Sequence, residues 1–197
     1  MTQEGYDYTN RHGLWPISWN DFHGLCQALA VAAAEFAPEI ILALGRGGFY
    51  PGTLVAHLLR TEIYPVRLSR RVNDRVVHET PVWLLEPPLL VQGKRVLVVD
   101  EICDSGQTLQ MAGKKLEEMD VSAMKTAVLY AHTWGANIPD YIGIITDALL
   151  LNPWDREAVV DGRIQFHPEY ASAFAQQGIP LDDALRIPAT PFTLAKS

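Results

Sequence analysis

The amino-acid sequence predicts an α/β fold: a parallel sheet flanked by helices, with a small hood or hairpin element. Short runs such as IILAL at 40–44 and RVLVVD at 95–100 are apolar on both faces, as strands covered from both sides must be. These runs alternate with stretches whose apolar residues recur every three or four positions, the period of an amphipathic helix. The chain has 197 residues, enough for one domain whose core needs no disulfide or metal to hold it. We therefore expect a single domain over 1–197, with its core at about 15–160 and a C-terminal extension at about 161–197.

The elements follow in order. Residues 1–16 carry Gly, Asn and Pro and read as an irregular lead-in. Ser18 is placed to cap a helix in which Phe22, Leu25, Leu29, Ala32, Ala33 and Phe36 line one face, and Pro38 stops it. The strand at 40–44 ends in the run GRGG at 45–48, and a second helix is expected from about 51 to 59. Residues 63–68 read as a strand. The stretch 69–90, with Arg70, Arg71, Asp74, Arg75 and three prolines, reads as a long loop or protruding hairpin. RVLVVD is the strongest strand signal, followed by a helix at about 107–119. Strands are expected at 123–130, 141–145 and 148–151, and two short helical turns in the Pro-rich tail. In such a sheet ligands bind beyond the carboxyl ends of the strands, which points to the residues after Leu44, Asp100, Tyr130 and Leu151.

Composition excludes several classes. Hydrophobic residues make up 48% and charged residues 20%, ordinary for a globular protein. Sixteen Lys and Arg against 23 Asp and Glu give a net charge of −7, so no nucleic-acid partner is expected. Cys26 and Cys103 are too far apart for a CxxC cluster and point to a reducing cytoplasm. No apolar run approaches the roughly 20 residues of a membrane span, and the polar start MTQEGYDYTN is no signal peptide. A cytoplasmic location without a membrane partner is the expectation. GxxxxGK[ST] and GxGxxG are both missing, which removes P-loop kinases and dinucleotide enzymes.

The chemistry concentrates in VLVVDEICDSGQTL at 96–109. A buried strand ends in two adjacent acids, Asp100 and Glu101, and a third, Asp104, precedes a helix start. The first N–H groups of a helix have no internal partners and sit at the positive end of its dipole, so they suit a phosphate. Gly106 lets the backbone approach that anion, and Ser105 and Thr108 add hydroxyl donors. The acid pair suits something else: the hydroxyls of a sugar, or a magnesium ion beside it. In LGRGGFYPG at 44–52, backbone N–H groups and the Arg46 guanidinium together fit a pyrophosphate.

The 96–109 string resembles the phosphoribosyl pyrophosphate (PRPP) signature of type I phosphoribosyltransferases. WNDF, GRGG, LYAHTWGANIPDY and NPWD occur in the order seen in microbial xanthine-guanine and hypoxanthine-guanine members, over about 15–160. The resemblance implies that Asp100 and Glu101 hold the ribose and, indirectly through PRPP and water, Mg2+. It implies that Ser105, Gly106, Gln107 and Thr108 hold the 5-phosphate, and that Arg46, Gly47 and Gly48 hold the pyrophosphate, with a cis peptide at Gly45–Arg46. Asp104 becomes the catalytic acid beside the base nitrogen, and His132, Leu149 and Leu150 line the base pocket. The implied activity is transfer of a 5-phosphoribosyl group to a hypoxanthine-, guanine- or xanthine-type purine in salvage. The implied partners are PRPP and a nucleobase, the implied assembly a homodimer or homotetramer.

Two departures leave the base open. His132 stands where purine enzymes usually have a Lys, and its charge depends on pH near neutrality. Leu149 stands where they usually stack an aromatic ring; Trp134 or Trp154 is placed to supply one, although Trp154 equally fits a core role. Residues 69–88 fall where the family carries a mobile hood, whose Arg70, Arg71 and Arg75 would meet pyrophosphate on closure. The competing readings are a non-catalytic PRPP or nucleotide sensor on the same fold, and a transferase for adenine or a pyrimidine.

Overall fold

The computed structural model describes residues 11–72, 75–182 and 185; the side chains of 71–76 lie outside the described residues. In chain order the elements are β1 (Leu14–Pro16), α1 (Trp19–Ala33), β2 (Ile40–Leu44), α2 (Phe49–Leu59), β3 (Glu62–Ser69), β4 (Arg71–Val72), β5 (Arg75–Val76), β6 (Val82–Leu85), β7 (Arg95–Cys103), α3 (Gln107–Glu118), β8 (Ala123–Ala131), β9 (Tyr141–Ile145), β10 (Leu149–Leu151), β11 (Glu157–Val160), β12 (Arg163–Phe166) and α4 (Pro168–Gln177), with a 3-10 turn at Leu89–Val91 before β7. The chain forms two compact units, one over Asn20–Asp147, the other joining the segment up to Trp19 with the chain from Ala148 onward.

The first unit is built on a six-stranded sheet in the order β6-β3-β2-β7-β8-β9. All neighbours run parallel except β6, which returns antiparallel to β3 at the edge. The predicted parallel sheet flanked by helices is therefore present. Side chains alternate across it. Ile40, Leu42, Leu44, Val96 and Val98 join Leu109, Ala112 and Leu116 of α3 in one core layer. On the other face α2 lies so close that a Cβ on Gly52 would stand 2.6 Å from the Ala43 Cβ, and Leu25 of α1 approaches Gly143 of β9. Every residue of β2 is buried, which is why that strand reads as an unbroken apolar run.

The order of the strands positions the site. From β2 the chain runs through α2 to β3 on one side; it then returns to β7 on the other side of β2 and continues through α3 to β8. The sheet thus switches direction between β2 and β7, with α2 and α3 on opposite faces. A crevice opens at the carboxyl ends of two strands at such a point.

The segment 69–90 holds the short antiparallel pair β4–β5 and the edge strand β6, in keeping with the expected hairpin. Residues 73–74, and with them Asp74, lie outside the described residues, as do the side chains of Arg71 and Arg75.

The second unit corrects one expectation. The run 148–151 does not extend the main sheet: β10 pairs in parallel with β1, Leu14 opposite Leu149 and Pro16 opposite Leu151. The irregular lead-in therefore contains a strand. Beyond it β11 and β12 form a hairpin around Asp161 and Gly162, both at positive φ (51° and 74°), as a two-residue hairpin turn requires. Among the described residues the tail carries a ten-residue helix, α4, whose Tyr170, Ala173 and Phe174 close a small core with Leu149, Leu151 and Phe166. Asp183 lies outside the described residues.

Candidate functional site

The loop after β2 is a tight turn over residues 45–48, and the Gly45–Arg46 peptide is cis, as the resemblance implies. Gly45 N–H donates to Val66 O at 2.8 Å, anchoring the loop to β3. No side chain caps the start of α2, where Gly48 is the N-cap. Arg46 is exposed. Both following glycines are required by what presses on them. A Cβ on Gly47 would run into the Glu101 carboxylate, and one on Gly48 would stand 2.8 Å from Val99 O and 2.9 Å from Asp100 Cα. The GRGG loop is therefore laid directly against the acid pair.

Strand β7 is three residues longer than expected and carries Asp100 and Glu101 within it; Asp104, Ser105 and Gly106 form the turn to α3. Asp100 Oδ1 accepts from the Glu101 N–H at 2.7 Å. Burial nonetheless dominates and pushes the Asp100 carboxyl from 3.8 up to about 7. A half-buried carboxylate beside a backbone-lined turn is what a ligand hydroxyl or a cation would relieve. Gly106 sits at φ 75° as the N-cap of α3 and has no side chain to cap it. The first intrahelical bond is Gln110 N–H to Gly106 O at 3.0 Å, so the N–H groups before it point out of the helix end. Ser105 and Gln107 are exposed there and Thr108 is half-buried. Asp100 and Glu101 thus lie at the end of β7 against the GRGG loop, and Asp104 and residues 105–108 follow at the turn into α3.

A third loop arrives from β8. His132 N–H donates to Cys103 O at 3.0 Å, the Cys103 thiol to Gly135 O at 3.4 Å, and a Cβ on Gly135 would run into Asp104 O. Burial, then the charges of Asp100 and Asp104, push the Cys103 thiol up to about 11, so it stays protonated. Trp134 Nε1–H donates to Asp104 Oδ1 at 2.8 Å. Its ring, 47% exposed, lies on the His132 ring at 4.7 Å and 18°. His132 is only 1% exposed, with Nδ1 2.8 Å from Thr146 O and 3.6 Å from Asp147 Oδ1. Sequence reasoning singled out Trp134 as a ring but missed its hydrogen bond to Asp104, which joins residues 30 apart and has no local signal. Leu149 and Leu150 are buried in β10 of the second unit. Trp154, also there, lies 6.1 Å from Trp19 at 53°.

Among the described residues no three His, Cys, Asp or Glu side chains converge as a metal cage. The adjacent Asp100 and Glu101 fit a hard cation only as part of a shell that a ligand's oxygens and water complete. No helix of the described residues is long and apolar enough to cross a membrane.

The model of the phosphoribosyl transferase domain matches residues 26–154, which include all three loops. The chain belongs to this phosphoribosyl transferase family. It is 31% identical over 120 residues to the hypoxanthine-guanine phosphoribosyltransferase of Saccharomyces cerevisiae, covering 52% of this chain and 54% of that one. The matched region thus spans about half the length of that relative. Xanthine phosphoribosyltransferase 1 of the same yeast is 27% identical over 190 residues, covering 73% of this chain and 90% of the relative. A hypothetical protein from Neisseria gonorrhoeae, crystallised with bound ppGpp, superposes with a TM-score of 0.61 at 27% identity, covering 85% of this chain and 99% of the other. Within the family match fall the GRGG loop, the acid pair, Asp104, His132 and Leu149; residues 161–197 lie beyond it.

Proposed function

We propose that this chain is a phosphoribosyltransferase that moves the 5-phosphoribosyl group of PRPP onto a purine base of the hypoxanthine, guanine or xanthine type and releases pyrophosphate, a salvage reaction of the cytoplasm. One observation carries the reading: the GRGG loop lies in contact with the Asp100–Glu101 pair at the switch point of the sheet, and the same strand leads within a few residues to the uncapped start of α3. A ligand with a diphosphate, a diol and a monophosphate matches that series of groups. The names of the two yeast relatives support the base class.

In this reading Arg46 and the N–H groups of residues 46–48 hold the diphosphate. Residues 105–108 hold the 5-phosphate at the start of α3. Asp100 and Glu101 accept hydrogen bonds from the ribose hydroxyls. The bond from C1 to the diphosphate oxygen breaks, its electron pair leaves with pyrophosphate, and the new bond forms from C1 to the base nitrogen. Asp104 accepts the proton that this nitrogen loses. Positive charge develops on the ribose as the first bond stretches, and the fixed carboxylates beside the ring favour it. Mg2+ bound with the diphosphate would supply charge neutralisation of the leaving group, held by the diphosphate and water with Asp100 and Glu101 behind it. His132 is assigned to the base side, and Arg70 to a hood that closes over the reacting centre, with homodimer or homotetramer as the working assembly. The two buried free thiols, Cys26 and Cys103, fit a reducing compartment.

The test is pyrophosphate release from PRPP and Mg2+ with hypoxanthine, guanine, xanthine, adenine and uracil in parallel. Release with one or more of the first three is expected. Release with adenine or uracil alone overturns the base class, and none with any base overturns the transferase reading. Asp104→Asn should lower kcat by roughly 10²–10⁴-fold while calorimetry still detects PRPP binding.

A second reading, a nucleotide sensor, is favoured by the Neisseria protein with bound ppGpp. Its guanine, diphosphate and ribose could occupy the same loops. Titration with ppGpp decides: tight binding by a chain that turns over no base would make the site a sensor.

A further inference from the structure

We propose that Trp134 is the positioning residue of this site, clamping the Asp104 carboxylate in one orientation through its indole N–H. The inference rests on the transferase reading for its catalytic consequence.

The Trp134 ring is 47% exposed, so it is no core filler. Its N–H is nevertheless spent on a fixed partner, 2.8 Å from Asp104 Oδ1. A hydrogen bond to an ionised acceptor is stronger than a neutral one, and pinning Oδ1 fixes the plane of the carboxylate and hence the direction in which Oδ2 accepts. An aspartate on a turn otherwise samples several rotamers, and a proton acceptor displaced by an ångström loses much of its advantage.

The ring is itself held. It lies on His132 at 4.7 Å and 18°, and His132, 1% exposed, is fixed by Thr146 O at 2.8 Å. Thr146 N–H is tied to Ala131 O at 2.9 Å, at the end of β8. Neighbouring Thr133 donates from N and Oγ1 to the two oxygens of Asp147 at 2.9 and 2.8 Å. The turn is also joined to Asp104 through the backbone, by His132 N–H to Cys103 O and by the close approach of Gly135 to Asp104 O. A buried imidazole therefore acts here as the backing of the tryptophan, and the tryptophan as the stop for the carboxylate.

Trp134→Phe keeps the ring and removes the donor. It should lower kcat about tenfold, the worth of one hydrogen bond to a charged group, and leave KM for PRPP within about twofold. In an Asp104→Asn background the same change should cost nothing further, because its effect runs through Asp104. Full turnover in Trp134→Phe, or losses that multiply in the double variant, would overturn the proposal. A second measurement does not depend on turnover. The indole 1H–15N resonance that disappears in Trp134→Phe belongs to Trp134; Asp104→Asn should move that resonance upfield and leave those of the four other tryptophans in place. An unmoved resonance overturns the clamp. A chain that transfers nothing sinks the transferase reading alone, and the resonance still judges the clamp.

Discussion

Two carboxylates at opposite ends of the same sheet behave in opposite ways. Glu39, just before β2, is held below its ordinary value by the N–H of Arg95 at 3.1 Å and then by Lys94 at 3.2 Å. Asp100, near the far end of β7, is pushed up to about 7 by burial, although it too accepts a backbone N–H. The neighbours differ more than the residues do. At the amino ends Glu39 ties off a strand in water, among cations. At the carboxyl ends Asp100 lies where a glycine turn presses on the strand. A sheet of this kind ties off an acid among cations at one end and holds a raised carboxyl at the other, and the second end is where a ligand can be recognised.

The largest expected break in this contrast is Gly48→Ala. Its Cβ would stand 2.8 Å from Val99 O and 2.9 Å from Asp100 Cα, both backbone atoms that cannot turn aside. PRPP binding should vanish in calorimetry, and urea unfolding should report a loss of roughly 1–3 kcal/mol. Next comes Asp100→Asn. With the carboxyl raised from 3.8 to about 7, the native state holds its proton more tightly than the unfolded chain does. Its contribution to stability is full below about pH 4 and is lost as pH rises through 7. The variant should therefore match the wild type near pH 4 and exceed it by roughly 2–4 kcal/mol at pH 8; a gap that does not widen between those values would remove burial as the cause. The smallest effect belongs to the amino end. Glu39→Gln removes two exposed ion pairs and should leave PRPP affinity unchanged and the unfolding midpoint within error.

The same contrast explains what the sequence makes legible. Both loops at the carboxyl ends announce themselves, because GRGG and DEICDSGQT are local strings whose residue types follow from local demands: tight backbone approach, and an acid beside a helix start. Strand β2 is legible because it is a continuous apolar run, and β7, β8 and β9 because each carries one; β3, EIYPVRLS, is apolar only in part. The pairing of β1 with β10 is not, since each strand has three residues and the partners are 135 positions apart. The β11–β12 hairpin did carry a signal, Asp161–Gly162 between EAVV and RIQF, weakened by a polar flank with exposed Val159 and Ile164. The burial of His132 and the turning of Trp134 toward Asp104 depend on strand order, and no spacing within the chain encodes them.

Strands β2 and β7 are hydrogen-bonded neighbours up to Ala43 and Val99; β2 then ends at Leu44, whereas β7 runs on beside β8 to Cys103. The GRGG loop therefore leaves the sheet beside the last residues of β7, where Asp100 and Glu101 lie against it. A molecule that touches both the GRGG loop and the start of α3 has to pass that acid pair on the way.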